Sequence, residues 1–186
     1  MGGILLGRLV LKGKRIYLEN LIDRVEPKTI QHYLNNIEQS KYMYKVSYPY
    51  TMKDAKQYFN YLDSVQNGDT TYELGIFDNE EDTFIGVVAL ENINFECQNS
   101  EIGYWIVKDF WKKGYASEAC KLIIEYAFKE LKLYRLYANL QKENTASLAL
   151  LTSLGFQVEG LLRKHVVNKG EFVDRYICGL LRDDWQ

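Results

Sequence analysis

The stretch Glu101–Ser117, EIGYWIVKDFWKKGYAS, sets a carboxylate, an apolar run from Ile102 to Val107, and a lysine-glycine turn in succession before a helical pattern begins. A strand that feeds a glycine turn into a helix start brings backbone N–H groups and the positive end of the helix dipole to one point. A phosphate is the guest that suits it. Gly114 permits close backbone approach. The N–H groups of Lys113, Gly114, Tyr115, Ala116 and Ser117 can turn toward a pyrophosphate, with the Ser117 hydroxyl as a further donor. Lys112 and Lys113 add positive charge, although KKGYAS taken alone is also an ordinary turn with two solvated lysines. Glu101 heads the strand and is a candidate general base, directly or through a water; the alternative is an edge carboxylate paired with a neighbouring cation. Asn144 and Ser147, three apart at a second helix start, share a face; on their own they also read as an N-cap and a small surface serine.

Other chemistries find little support. His32 and His165 have no partner spacing suggestive of metal ligation and no zinc pattern is present, so no metal is expected. Asp174 and Glu159 read as structural carboxylates. Cys97, Cys120 and Cys178 are far apart with no CxxC pair, as expected of reduced, mostly buried thiols in a cytoplasmic protein. A formal charge of -2 offers no basic field for nucleic acid, and an anionic ligand would have to be met locally. No apolar run approaches a membrane span, and no exported leader is evident at the start of the chain. An apolar fraction of 47%, a charged fraction of 26% and only 2 Pro in 186 residues suit an ordinary globular chain, read as a single domain over 1–186.

The elements that must position these residues follow from periodicity. Leu5–Leu21 predicts one or two strands, Arg15–Glu19 the clearest. Pro27 opens a helix through Ile30, Tyr33, Leu34 and Ile37. Thr51–Asp54 caps a second helix through Ala55, Tyr58, Phe59 and Leu62 to about Gln66, where Asn67-Gly68-Asp69 stops it. Tyr72–Phe77 and Phe84–Asn92 form a hairpin around a solvated tip at Glu80-Glu81-Asp82, and Glu101–Val107 is the next strand. From Gly114 the period changes: Ala116, Ala119, Cys120, Ile123, Ile124, Ala127, Phe128 and Leu131 line one helical face. Then come a strand at Tyr134–Leu140, a helix from Asn144 to Gly155, and strands at about Phe156–Val167 and Phe172–Leu181 around Asn168-Lys169-Gly170. Hairpin-linked strands with a helical crossover predict a mixed, mostly antiparallel sheet of about seven strands with about four helices.

Four segments carry a family resemblance. Glu101–Trp105, Trp111–Ala119, Glu143–Ser147 and Leu154–Phe156 resemble, in order and spacing, the GNAT acetyltransferases of the RimJ/RimL type. That resemblance implies an α/β (α+β) fold whose sheet splays between Glu101–Val107 and Tyr134–Leu140. It also implies acetyl transfer from acetyl-CoA to a primary amine, either a protein N-terminus or a small amine such as a polyamine or amino sugar. The pantetheine arm would lie in the splay against the backbone of Ile106 and Val107, with Asn139, Asn144 and Ser147 also on the cofactor. The tetrahedral oxyanion would take a backbone N–H near Ile106 or Val107. A homodimer is compatible with the family.

Two positions depart from the family's phosphate motif. Trp111 stands where Gln or Arg is usual, and Lys112 where the RimJ/RimL form usually has Gly; Lys112 would alter the loop or reach the 3'-phosphate of CoA. Many members carry a tyrosine, the acid for the leaving thiolate, where this chain has Leu151, which leaves Ser147, another tyrosine or water. The acceptor must be neutral to attack. At pH 7 that costs a lysine-like amine of pKa about 10.4 about 4.6 kcal/mol, and an α-amine of pKa about 7.7 to 8 only about 1 to 1.4 kcal/mol. Tyr42, Tyr44, Tyr48 and the Asn168–Gly170 hairpin are expected to govern acceptor choice. The rival reading is a non-catalytic acyl-CoA sensor or assembly module, which would need neither Glu101 nor Ser147.

Overall fold

The computed structural model describes residues 9–66 and 70–185. Strands β1 (Val10–Lys12) and β2 (Ile16–Asn20) lead into a one-turn helix α1 (Leu21–Arg24), then α2 (Pro27–Leu34) and α3 (Met52–Gln66). Pro27 occupies the first turn of α2, where its missing N–H costs nothing. At the start of α3, Thr51 Oγ1 accepts from the Asp54 amide (3.3 Å) while Asp54 Oδ2 accepts from the Thr51 amide (2.7 Å), a reciprocal cap. Residues 5–8 of the first predicted strand region and the Asn67-Gly68-Asp69 stop lie outside the described residues.

Strands β3 (Tyr72–Asp78), β4 (Phe84–Asn94) and β5 (Asn99–Ile106) form a meander, followed by a 3-10 turn at Lys108–Phe110 and helix α4 (Tyr115–Lys129). After α4 come β6 (Arg135–Gln141), α5 (Thr145–Ser153), β7 (Gln157–Asn168) and β8 (Glu171–Leu181). The eight strands lie in the order β1-β2-β3-β4-β5-β6-β8-β7, and only β5–β6 is parallel. Of the elements beyond the expected count, β1 falls in the Leu5–Leu21 stretch where one or two strands were expected, and the four-residue α1 is too short to show a period. The β3–β4 tip is solvated as expected, with Glu80, Glu81 and Asp82 exposed, and Asp82 also accepts from Arg24 Nη2 at 2.7 and 2.8 Å and from the Tyr17 hydroxyl.

The parallel pair decides where a ligand can go. β5 and β6 are paired only at Asn99↔Arg135, Ser100↔Leu136 and Glu101↔Tyr137, after which they diverge into an open wedge. Alternation along the strands sorts side chains to the two faces of the sheet. Ile102, Ile106, Ala138 and Leu140 pack with Ala119, Cys120, Ile123, Ile124, Ala127 and Phe128 of α4, with Leu151 of α5 and with Leu154 just past its end. The opposite face packs Phe77 and Val87 against α1–α3, with Trp105 against them, and carries Glu73, Glu91, Glu101 and Asn139.

Candidate active site

At the outer end of the wedge, α4 begins at Gly114, whose φ of 82° is the left-handed conformation glycine tolerates, and no side chain caps the helix. The first-turn N–H groups at Tyr115, Ala116 and Ser117 therefore lack a side-chain partner, and beside them Lys112, Lys113 and Gly114 are exposed. That donor set fits a pyrophosphate. Lys112 also takes a left-handed φ of 60°, so the loop keeps a conformation suited to glycine with a lysine in place. The loop is anchored by a residue that carried no sequence signal. Arg15 donates from Nη1 to the Lys113 carbonyl (2.9 Å) and from Nε to Glu118 Oε2 (2.9 Å), and lies 4.8 Å over the Tyr115 ring. Burial would raise the Glu118 carboxyl, but hydrogen bonds from the Arg15 amide and guanidinium hold it below its usual range. The one carboxylate in this first turn is thus neutralised.

The expected Ile106–Val107 edge is largely occupied. Val107 N–H donates to the Ile85 carbonyl (2.8 Å), and the Val107 carbonyl accepts from the Phe110 amide (2.9 Å). The Ile106 carbonyl accepts from Trp111 Nε1 (2.6 Å) and Gln39 Nε2 (2.9 Å). Trp111 thus ties the lysine-glycine loop to β5. Because Val107 bonds into β4, antiparallel alternation turns the backbone groups of Ile106 and Tyr104 toward the wedge. The open part of the edge is therefore the Ile106 N–H and the Tyr104 backbone, displaced from the Ile106–Val107 peptide. A strand called from periodicity gives no hydrogen-bond phase, so the sequence could not resolve this.

On the α2/α3 face, Asn139 Nδ2 donates to Glu101 Oε1 (2.9 Å) across the wedge, and Arg175 Nη2 lies 4.0 Å from the same oxygen. The structure thus joins two residues singled out separately, one from each strand, and both contacts fall on one oxygen. Glu91, directly opposite Glu101, binds Lys45 Nζ at 3.1 Å. Behind them Glu73 is buried against the Tyr58 hydroxyl, and desolvation raises its carboxyl to about 7 despite that hydrogen bond. Glu159 pairs with Arg135, and Asp174 accepts from the Lys164 amide (2.9 Å), so both are structural.

On the α4/α5 face, Asn144 caps α5 by accepting from the Ser147 amide (3.2 Å), and Ser147 Oγ lies 2.7 Å from Tyr104 Oη. Two of the segments expected to govern the acceptor, around Tyr42 and at Asn168–Gly170, meet each other. Asn168 Nδ2 donates to the Lys41 carbonyl (2.8 Å), Lys169 Nζ to that of Ser40 (2.7 Å), and Gln141 Nε2 to that of Tyr42 (3.3 Å). Arg175 lies 4.8 Å over the Tyr44 ring. Among the described residues there is no group of three or more His, Cys, Asp and Glu that could hold a metal, and no helix long and apolar enough to cross a membrane.

Comparison with known proteins places this arrangement. Residues 15–157 match the acetyltransferase (GNAT) domain model. The chain is 32% identical to "Probable N-acetyltransferase YjcK" of Bacillus subtilis, over 94% of this chain and 98% of that one. It is 35% identical to "Uncharacterized N-acetyltransferase p20" of Bacillus licheniformis, over 82% and 85%. A ribosomal protein uS5-alanine N-acetyltransferase of Escherichia coli is 29% identical over 62% and 60%. The fold superimposes on spermidine N-acetyltransferase from Vibrio cholerae in complex with CoA and spermine, with a TM-score of 0.81, 22% identity and coverage of 92% and 98%.

Proposed function

The chain belongs to the acetyltransferase (GNAT) family, and from that premise we propose that this acetyl-CoA-dependent N-acetyltransferase acetylates a primary amine by direct attack in a ternary complex. One observation carries the reading: the wedge between β5 and β6 has an uncapped helix N-terminus at its outer end and a carboxylate, Glu101, bridged across its inner end. Acetyl-CoA supplies a thioester whose acetyl carbon is the electrophile.

The residues of this chain then have separable tasks. Lys112, Lys113, Gly114 and the amides of Tyr115–Ser117 hold the pyrophosphate. The wedge-facing backbone of Tyr104 and Ile106 receives the pantetheine arm and offers an N–H to the developing oxyanion. Glu101, with one oxygen fixed by Asn139, takes the proton of the acceptor ammonium directly or through a water. Glu101 passes that proton to solvent, the C–N bond forms, and the attacking nitrogen gives up its second proton by the same route as the C–S bond breaks and its electron pair leaves on sulfur near Ser147. Holding the two substrates together supplies much of the acceleration, since proximity is worth up to about 7 to 11 kcal/mol.

On the acceptor side Glu91 is already paired with Lys45 and Glu73 is buried against Tyr58, so the carboxylate left to favour a cationic amine is Glu101 at the wedge. Two acceptor kinds follow from the similar proteins, a polyamine and a protein N-terminal alanine. Measuring CoA release with spermidine and with an alanine-initiated peptide, and the acetylated product by mass, tests the reading. Tight acetyl-CoA binding with no turnover on any amine of a broad panel would favour the sensor instead.

A further inference from the structure

Tyr104 and Ser147 bridge the wedge on the α4/α5 face, as Glu101 and Asn139 bridge it on the other. Tyr104 lies three residues beyond Glu101 on β5, past the last β5–β6 pair, and Ser147 lies in the first turn of α5. Their hydroxyl oxygens are 2.7 Å apart, and Tyr104 Oη is also 3.4 Å from the Ser147 carbonyl. A serine hydroxyl has one proton to give and two lone pairs to fill. If the phenol donates to Ser147 Oγ, the serine proton is free to turn elsewhere, and the open wedge is the side on which a thioester would lie.

We propose that Tyr104 is a positioning residue: it donates to Ser147 Oγ and thereby sets the serine hydroxyl as a hydrogen-bond donor to the departing sulfur. The inference rests on the acetyl-transfer reading above. Its chemistry separates donation from proton transfer. Burial pushes the Tyr104 phenol well above its ordinary value, so it keeps its proton at any working pH. A thiol ionises at about 8.5, below even an ordinary phenol, so neither hydroxyl hands its proton to the thiolate. The electron pair of the broken C–S bond stays on sulfur, accepting a hydrogen bond, and both protons lost by the acceptor ammonium leave by the Glu101 side. Leu151, where the family resemblance would place a tyrosine acid, is buried in the core and has no part in this.

The test reads CoA binding, which needs no acceptor. CoA and desulfo-CoA are titrated by calorimetry between about pH 7 and pH 9 into the wild type, Tyr104→Phe, Ser147→Ala and the double variant. In the wild type, donation to sulfur lowers the bound thiol's pKa, so CoA gains about tenfold over desulfo-CoA as pH rises. Each single variant loses most of that gain, and the double variant loses no more than Ser147→Ala alone, because Tyr104 acts through the serine. A Tyr104→Phe protein that keeps the wild-type pH dependence, or additive losses in the double variant, overturns the inference and leaves acetyl transfer intact. A wild type that binds neither ligand overturns both. Tyr104→Phe keeps the ring, and Ser147→Ala probes the same bond from the α5 side should the phenylalanine variant fold poorly.

Discussion

Lys112 joins backbone strain to ligand charge in one side chain, so exchanging it should move stability and affinity in opposite directions. Its φ of 60° is left-handed, a conformation that costs a non-glycine residue about 1 to 2 kcal/mol. Lys112→Gly removes that cost but frees the unfolded chain, returning about 0.4 to 1 kcal/mol, so the net gain is up to about 1.5 kcal/mol. For a domain of this size that is a rise in Tm of up to about 3 to 6 °C, read by calorimetry without ligand. The lysine is exposed, and its ion pair with a phosphate is worth at most about 1 kcal/mol, a loss of about fivefold in CoA affinity at low salt. Near about 1 M salt, where the screening length is about 3 Å, the loss should vanish. Lys112→Ala separates the two effects, since it loses the charge while keeping a Cβ in the strained conformation. It should match the glycine variant in affinity and the wild type in Tm. Unchanged low-salt affinity in both variants would remove Lys112 from the phosphate site. Equal Tm gains in both would refute the strain argument.

Three further outcomes follow from the same geometry. Glu73 has its carboxyl raised by burial from 4.5 to about 7, so the folded state holds a proton that the unfolded chain gives up; the stability this represents, roughly 3 kcal/mol, is present below about pH 4.5 and is lost as pH rises through about 7. Denaturant titrations of Glu73→Gln should show a flatter decline over that window, and a decline as steep as the wild type would mean another group causes it. Glu101→Gln should lower kcat/KM for spermidine by about a hundredfold or more and for an alanine-initiated peptide by less, since the α-amine is nearer neutral; an unchanged profile from about pH 6 to pH 9 for both rules Glu101 out as base. Asn144→Ala removes the cap that accepts from the Ser147 amide and should cost about 1 kcal/mol of stability, whereas a loss of activity with no change in stability would point to a direct ligand contact instead.

Much of the site was legible in one dimension because its parts are local. A glycine at a helix start, a lysine pair before it and an Asn three residues from a Ser each state their geometry within one turn, and Gly114, α4 and the Asn144 cap lie where those signals put them. The periodicity of α4 was equally plain, since one face is uniformly apolar and the other charged. What the sequence left open were contacts between elements far apart in the chain. Arg15 holds a loop about a hundred residues away, Gln39 and Trp111 converge on one carbonyl, and Tyr104 meets Ser147 from another strand. The sequence by itself determined most of the elements, the lysine-glycine loop before α4 and a carboxylate near the head of β5. Tertiary structure decided the phase of the β5 hydrogen bonds, which moves the open edge to Tyr104, and the pairing of Glu101 with Asn139. Both depend on how far β5 and β6 run together before they part, and that is a property of packing across the whole sheet.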